Sequence, residues 1–219
     1  GEHWDHANLA KSRKDIVNLD EEIKFQFNSA YRYLASAKEM QDDIETIIRE
    51  TVDQHKLKKM VLSLRNELVD GIKPIDREGR IRHLFDSAIT PGGIIDYIET
   101  IIQGNHICYF LKGAPGTGRS DALSYIANEY ALKGYDVELY HQPLNPERLQ
   151  TLVVDKLKIA VTVNTKMENK AYKTVNFNDN ITSGSLAGKA DLLTKDKEMQ
   201  DYLMEEAVKR IKGAKQRHD

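Results

Sequence analysis

A glycine-rich stretch between a short apolar run and an amphipathic segment constrains this chain more than any other feature. It reads Gly113-Ala-Pro-Gly-Thr-Gly-Arg-Ser120: a glycine, four residues, a glycine, a cation and a hydroxyl. Glycines permit backbone conformations and close approaches that a side chain would block. The amides of such a loop, together with the free N–H groups of a following helix, form a concave site for an anion. The stretch therefore predicts a strand, a phosphate-binding loop and a helix, in that order.

The candidate site consists of the loop and the residue after it. The predicted ligand-binding residues are Gly113, Ala114, Pro115, Gly116, Thr117, Gly118, Arg119, Ser120 and Asp121. The Ser120 hydroxyl is expected to bind a Mg²⁺ that bridges the outer phosphates of a nucleotide. Arg119 stands where this spacing usually has a lysine, and its guanidinium is planar and bulkier than an ammonium. We expect Arg119 to support binding while phosphoryl transfer from the nucleotide slows.

A site for nucleotide hydrolysis also needs a carboxylate at the end of a neighbouring strand. Asp155 follows three apolar residues, Leu152–Val154, and is the predicted metal and catalytic partner, although it could equally be an acid in a surface turn. Glu138 and His141, on and after the strand that follows the loop helix, are further candidates. Both interpretations of Asp155 remain open from the sequence.

Strand and helix signals alternate on both sides of the loop. Predicted strands cover Arg80–Leu84, Ile107–Leu111, Tyr135–Tyr140 and Ile159–Val163, and predicted helices cover Pro91–Ile102, the segment from the loop to Gly134, and about Asp191 to Lys215. Residues 165–190 are polar and are predicted to form a long loop. Short connections between alternating elements predict an α/β fold in which a parallel sheet is flanked by helices in three layers.

The first third of the chain has helical periodicity. Apolar residues between Ile23 and Ile47 recur at steps of three and four, and a second stripe runs from Leu57 to Leu68. Asp20 is predicted to cap the first helix, and a polar turn is expected within 51–59. This region predicts an N-terminal helical hairpin, or one long helix with a break. We therefore predict a helical region over 1–72 and a nucleotide-binding α/β domain over 73–219.

Composition excludes several classes of function. The 32 basic and 34 acidic residues nearly cancel, so no overall positive field favours nucleic acid. The single cysteine, Cys108, provides neither a disulfide framework nor a thiolate metal cluster. There is no apolar run near the ~20 residues that span a bilayer, and the polar start Gly1–Asp5 is no signal peptide. These features predict a cytoplasmic location, and the abrupt ends predict a piece of a longer polypeptide.

The loop and its surroundings, about Ile107–Tyr140, resemble the P-loop NTPase superfamily. More loosely, Arg82–Phe85, Ala88–Pro91, the loop and Tyr140–Pro146 are similar to an uncharacterised bacterial family of ATP-binding proteins with two P-loop halves in one polypeptide. That resemblance implies ATP as the ligand, bound by Gly113, Gly118 and Ser120. It also implies that this chain is most of the second half, with residues 1–72 as the helical link.

Three functions are compatible with the sequence. The leading one is an ATP-binding domain with Mg²⁺, acting as a slow ATPase or as a nucleotide-dependent switch; GTP is less favoured because Asn164–Lys166 and Asn169–Lys170 do not complete a guanine-reading Asn-Lys-x-Asp element. The second is a kinase that transfers a phosphoryl group to a small acceptor. The third is a non-catalytic module whose helical stripes bind a partner or a second copy.

Overall fold

The computed structural model describes residues 6–218. The prediction that Gly1–Asp5 is no signal peptide lies outside the described residues. The helices are α1 (His6–Arg49), α2 (Gln54–Arg65), α3 (Ile98–Ile101), α4 (Arg119–Leu132) and α5 (Ala190–His218). The strands are β1 (Ile81–Phe85), β2 (Ser87–Thr90), β3 (Gly93–Asp96), β4 (Ile107–Lys112), β5 (Val137–His141), β6 (Leu149–Val154), β7 (Ile159–Thr162) and β8 (Lys173–Asn176). A π-helical turn over Asn66–Asp70 continues α2, and short 3₁₀ turns cover Asp155–Leu157, Thr165–Lys170 and Phe177–Asn180.

The main sheet has six strands in the order β1-β5-β6-β7-β4-β8. Five strands run in one direction, and β6 is antiparallel to both of its neighbours. The α/β class is confirmed, and the prediction of a parallel sheet is confirmed for five strands but wrong for β6. The reason lies in the connections, 142–148 before β6 and 155–158 after it. Segments this short can close hairpins, but a parallel crossover needs a dozen residues or more.

Both faces of the sheet are covered, and β4 shows this most directly. Its Tyr109 and Leu111 pack into one cluster with Leu123 and Tyr130 of α4, and Cys108 packs into a second cluster on the other face. A strand buried on both faces explains the continuous apolar run of the sequence. The end of α2 joins the first cluster, where the Tyr130 hydroxyl donates a hydrogen bond to the carbonyl of Leu68 at 2.7 Å.

The long first helix pairs with the last helix of the chain. Buried alanines lie along both helices and allow close approach: Ala30, Ala37, Ala207 and Ala214. Arg210 of α5 stacks on the Tyr33 ring of α1, 3.9 Å from its centroid. The apolar stripe predicted over 23–47 is therefore covered by α5. Within residues 6–72, α1 and α2 do not pair as a hairpin; they fit the alternative of a long helix followed by a break. Asp20 is not a cap, because it lies inside α1 and pairs with Lys24 at 2.6 Å.

The helix predicted over Pro91–Ile102 is replaced by a β-hairpin and one helical turn. Strands β2 and β3 pair antiparallel across Pro91–Gly92, and only α3 is helical. The Thr90 hydroxyl, directly before the segment predicted as helical, accepts from Gly92 N and donates to the Gly93 carbonyl. A run of isoleucines fits either structure, since β-branched residues also favour strands.

The predicted long loop over 165–190 contains β8, which pairs in parallel with β4 at the edge of the sheet. Lys173-Thr-Val-Asn176 has little apolar character, because an edge strand is only partly covered. The turn after β8, Phe177–Asn180, consequently lies beside the glycine-rich loop that follows β4.

Candidate phosphate-binding site

The loop over 113–118 joins the end of β4 to the start of α4, as predicted. Gly116 and Gly118 have φ angles of +85° and +92°, in the left-handed region that favours glycine. Two hydrogen bonds fix the loop: the Thr117 hydroxyl donates to the Ala114 carbonyl at 2.7 Å, and the Ala114 amide donates to Asn178 Oδ1 at 2.9 Å. Successive amides in such alternating conformations form an anion-binding concavity.

Several amides of this segment have no hydrogen-bond partner among the described residues. Within residues 6–218, the N–H groups of Gly116, Gly118, Arg119 and Ser120 donate to no protein acceptor. The first amides of any helix lack intrahelical partners, and here they adjoin the amides of the loop. With the positive end of the α4 dipole, they make this segment suited to a bound anion.

Arg119 is a half-buried cation that lines the same pocket. Among residues 6–218, its guanidinium has a single hydrogen-bond partner, the Leu111 carbonyl, and the contact is weak at 3.4 Å. Burial lowers the pKa of Arg119 to about 10, and the nearby Glu45 carboxylate offsets part of that shift. The guanidinium is therefore charged at neutral pH and has donors to spare.

Ser120 and Asp121 occupy the first turn of α4 and line the pocket. The Ser120 hydroxyl oxygen accepts a hydrogen bond from the Leu149 amide at 2.9 Å, which ties α4 to the start of β6. A hydroxyl oxygen has two lone pairs, so one is left for a cation. Asp121 is exposed.

Helix α1 covers the loop from above. A Cβ on Gly116 would lie only 2.3 Å from the Glu45 carbonyl oxygen, so the two backbones approach as closely as glycine allows. Residues from outside the loop complete the pocket: Glu45, Arg49, Gln142, Arg148, Leu149 and Val163. The cavity that remains is about 60 Å³, whereas pockets that enclose a whole small-molecule ligand are on the order of 300–1,000 Å³. A cavity of this size suits a phosphoryl-sized anion.

The Glu45 side chain is the main acid of this pocket and is only 5% exposed. Its carboxylate accepts from Arg148 Nε at 2.5 Å and from Gln41 Nε2 at 3.0 Å, and Arg49 lies 3.9 Å away. Arg148 ends the β5–β6 connection, which also contacts α1 through Asn145 and Asp42 at 2.9 Å. Three arginines, the third being Arg119, thus surround one carboxylate beside the loop.

The structure separates Asp155 from the loop. Strand β6 runs antiparallel to its neighbours, so its last residue lies level with the first residue of β4. Asp155, which follows β6, is therefore at one end of the strands, whereas the loop, which follows β4, is at the other. Asp155 contacts His106 at 3.5 Å and Lys158 at 2.5 Å, and the bond from Lys158 lowers its pKa. It is a surface acid, and we leave it out of the proposed metal site.

Glu138 and His141 also lie outside the pocket. Glu138 pairs with Arg82 at 3.2 Å and accepts from the Tyr140 hydroxyl at 2.7 Å. His141 shares a 2.7 Å contact with His83. These side chains have partners of their own, and neither lines the pocket.

Sequence reasoning missed three residues of the site: Glu45, Arg148 and Asn178. Each is more than 25 positions from the loop, and each belongs to a segment without a recognisable motif. They reach the loop only through the docking of α1, the reversal at β6 and the pairing of β8 with β4. No local signal in the sequence marks them.

Comparisons with family models, curated proteins and solved structures found no match to this chain. Over residues 6–218, no helix combines the length and apolar character needed to cross a membrane. The site must therefore be interpreted from its own geometry.

Proposed function

We propose that this chain is a nucleotide-binding domain of the P-loop NTPase type, with ATP as its ligand. The observation that carries the proposal is the set of unpaired amides at the start of α4, among them Gly116, Gly118, Arg119 and Ser120. Unpaired backbone donors are costly unless a ligand or water satisfies them. The charged Arg119 beside them supplies the counter-charge for a phosphate.

Mg²⁺ fits this site through Ser120. Its hydroxyl oxygen retains one lone pair, and Mg²⁺ typically takes few protein ligands, with phosphate and water oxygens completing the octahedron. When bound, the ion would neutralise charge on the outer phosphates. The chain's own part is to hold the phosphates with the loop amides and Arg119.

ATP is favoured over GTP because the chain has no complete guanine-reading element. Asn164, the start of one partial match, has its side-chain nitrogen bonded to Asp96 at 2.8 Å. Its side-chain oxygen accepts from the Lys166 amide within its own turn. Neither group is presented to a base.

Slow turnover follows from the residues around the loop. A planar guanidinium replaces the ammonium at position 119, and Asp155 lies at the opposite end of the strands. Nucleotide binding is therefore proposed to act as a switch more than as a source of rapid hydrolysis. The two alternatives receive less support, since Glu138 and His141 do not line the pocket and both helical stripes are covered within the chain.

Isothermal titration calorimetry with ATP and GTP, each with and without Mg²⁺, tests the proposal. We expect saturable ATP binding that strengthens with Mg²⁺, and weaker binding of GTP. Transfer of phosphate to an added acceptor would favour the kinase alternative. Absence of any binding up to millimolar nucleotide would favour the non-catalytic module.

A further inference from the structure

The Glu45 carboxylate lies where the fold otherwise concentrates positive charge. Arg148 Nε donates to this carboxylate at 2.5 Å, and an Arg49 nitrogen lies 3.9 Å from it. Arg119 lines the same pocket, and the charge of Glu45 raises its pKa against the effect of burial. Unpaired loop amides line the other wall. The buried Glu45 carboxylate therefore supplies the negative charge that a bound anion would supply at the same donors.

We propose that Glu45 is an internal competitor for the phosphate and that nucleotide binding releases α1 from the loop. This inference rests on the nucleotide-binding function proposed above and adds its regulation. A phosphate in the loop would be repelled by the Glu45 carboxylate, and both would compete for the Arg148 guanidinium. Arg148 changes partner from Glu45 to the outer phosphate, and Glu45 leaves the pocket.

The release would reach beyond the pocket because α1 is part of a helix pair. Glu45 is positioned by Gln41, whose side-chain nitrogen also donates to Gln142 at 2.9 Å. Gln41 in turn lies 3.5 Å from Gln200 of α5. Movement of this part of α1 therefore changes contacts with both the β5–β6 connection and α5. A ligand shifts such an equilibrium only through a difference in affinity for its two states, and competition with Glu45 provides that difference.

The test compares MgATP affinity in Glu45→Gln and Arg148→Gln by calorimetry. Both variants break the same ion pair, so a purely structural role would change affinity in the same direction. We expect Glu45→Gln to bind about tenfold more tightly, because the competitor is neutralised. Arg148→Gln should bind about tenfold less tightly, because a phosphate contact is lost.

The control is Glu50→Gln, which removes an exposed ion pair with Lys189 near the end of α1, away from the pocket. Its affinity should equal that of the wild type. Unchanged or weaker binding by Glu45→Gln would overturn the competitor while leaving nucleotide binding by the wild type intact. Failure of both wild type and Glu45→Gln to bind would overturn the proposed function as well.

A second measurement needs no variant, which guards against misfolding of Glu45→Gln. Amide hydrogen exchange over residues 42–49 of the wild type should become faster when MgATP is added, since this part of α1 loses its contact with the loop. Slower or unchanged exchange in this segment, at saturating MgATP, would overturn the release of α1.

Discussion

At the scale of single residues, Arg119 is the residue through which the proposed function separates the binding of a nucleotide from its turnover. Its guanidinium has one weak partner, the Leu111 carbonyl, and keeps its charge at neutral pH. A planar fork holds a phosphate well, yet it does not take the compact position of an ammonium during transfer. In the proposed function, Arg119 therefore favours a nucleotide that stays bound without rapid hydrolysis.

The substitution Arg119→Lys is expected to raise ATP hydrolysis at least about tenfold while changing affinity little, because an ammonium can move with the transferring phosphate. Phosphate release at saturating MgATP measures this. Fast turnover by the wild type, or no gain in the variant despite unchanged affinity, would show that position 119 does not limit the reaction.

At the scale of elements, the close approach of α1 to the loop makes Gly116 a sensitive position. Alanine there meets a left-handed conformation and the Glu45 carbonyl at 2.3 Å. Gly184 is a matched control, since it has a similar φ of +80° and no heavy atom within 4 Å of the added Cβ. The difference between the two substitutions isolates the contact with α1.

Chemical denaturation of both variants provides the measurement. Gly184→Ala should lower the free energy of unfolding by about 1–2 kcal/mol through backbone strain alone. Gly116→Ala should lower it by at least about 1 kcal/mol more, because α1 must move away. Equal losses of unfolding free energy in the two variants would mean that α1 does not contact the loop closely at Gly116.

The pairing of α1 with α5 depends on small residues. Ala37 is fully buried between the helices, and Ala35, two positions away, is exposed. Ala37→Leu should cost about 1–3 kcal/mol of unfolding free energy through overpacking. Ala35→Leu should stay within about 0.5 kcal/mol of the wild type. Similar values for the two variants, measured by urea unfolding, would contradict this pairing.

Elements whose determinants are local could be predicted from the sequence, and those set by distant contacts could not. Strand β4, the loop and α4 follow from adjacent residues between Ile107 and Gly134. The reversal at β6 depends on connection lengths, and the partner of α1 depends on a helix that begins at Ala190. The position of the glycine-rich loop between β4 and α4 can therefore be predicted from the sequence, whereas the approach of Glu45 and Arg148 to it cannot.

At the scale of the whole molecule, the direction of β6 places Asp155 and Ser120 at opposite ends of the strands of the main sheet. Asp155 lies at the end of the strands where β4 begins, and Ser120 lies beside the loop, at the opposite end of the strands. Asp155→Asn should therefore leave MgATP affinity unchanged. Ser120→Ala should weaken it about tenfold when Mg²⁺ is present, since a metal ligand is lost.

Calorimetry on both variants measures this contrast, with circular dichroism to establish that each is folded. An effect of Asp155→Asn comparable to that of Ser120→Ala would mean that the two residues act in one site, against the topology of the sheet.

The central claim is that four unpaired amides hold a phosphate. The most direct measurement is the amide proton shift of Gly116, Gly118, Arg119 and Ser120 in a ¹⁵N-labelled sample titrated with MgATP. These resonances should move downfield together and saturate with one affinity, because new hydrogen bonds to phosphate oxygens form, while the Gly184 resonance should not shift. Saturable binding that leaves those four resonances unmoved would contradict it.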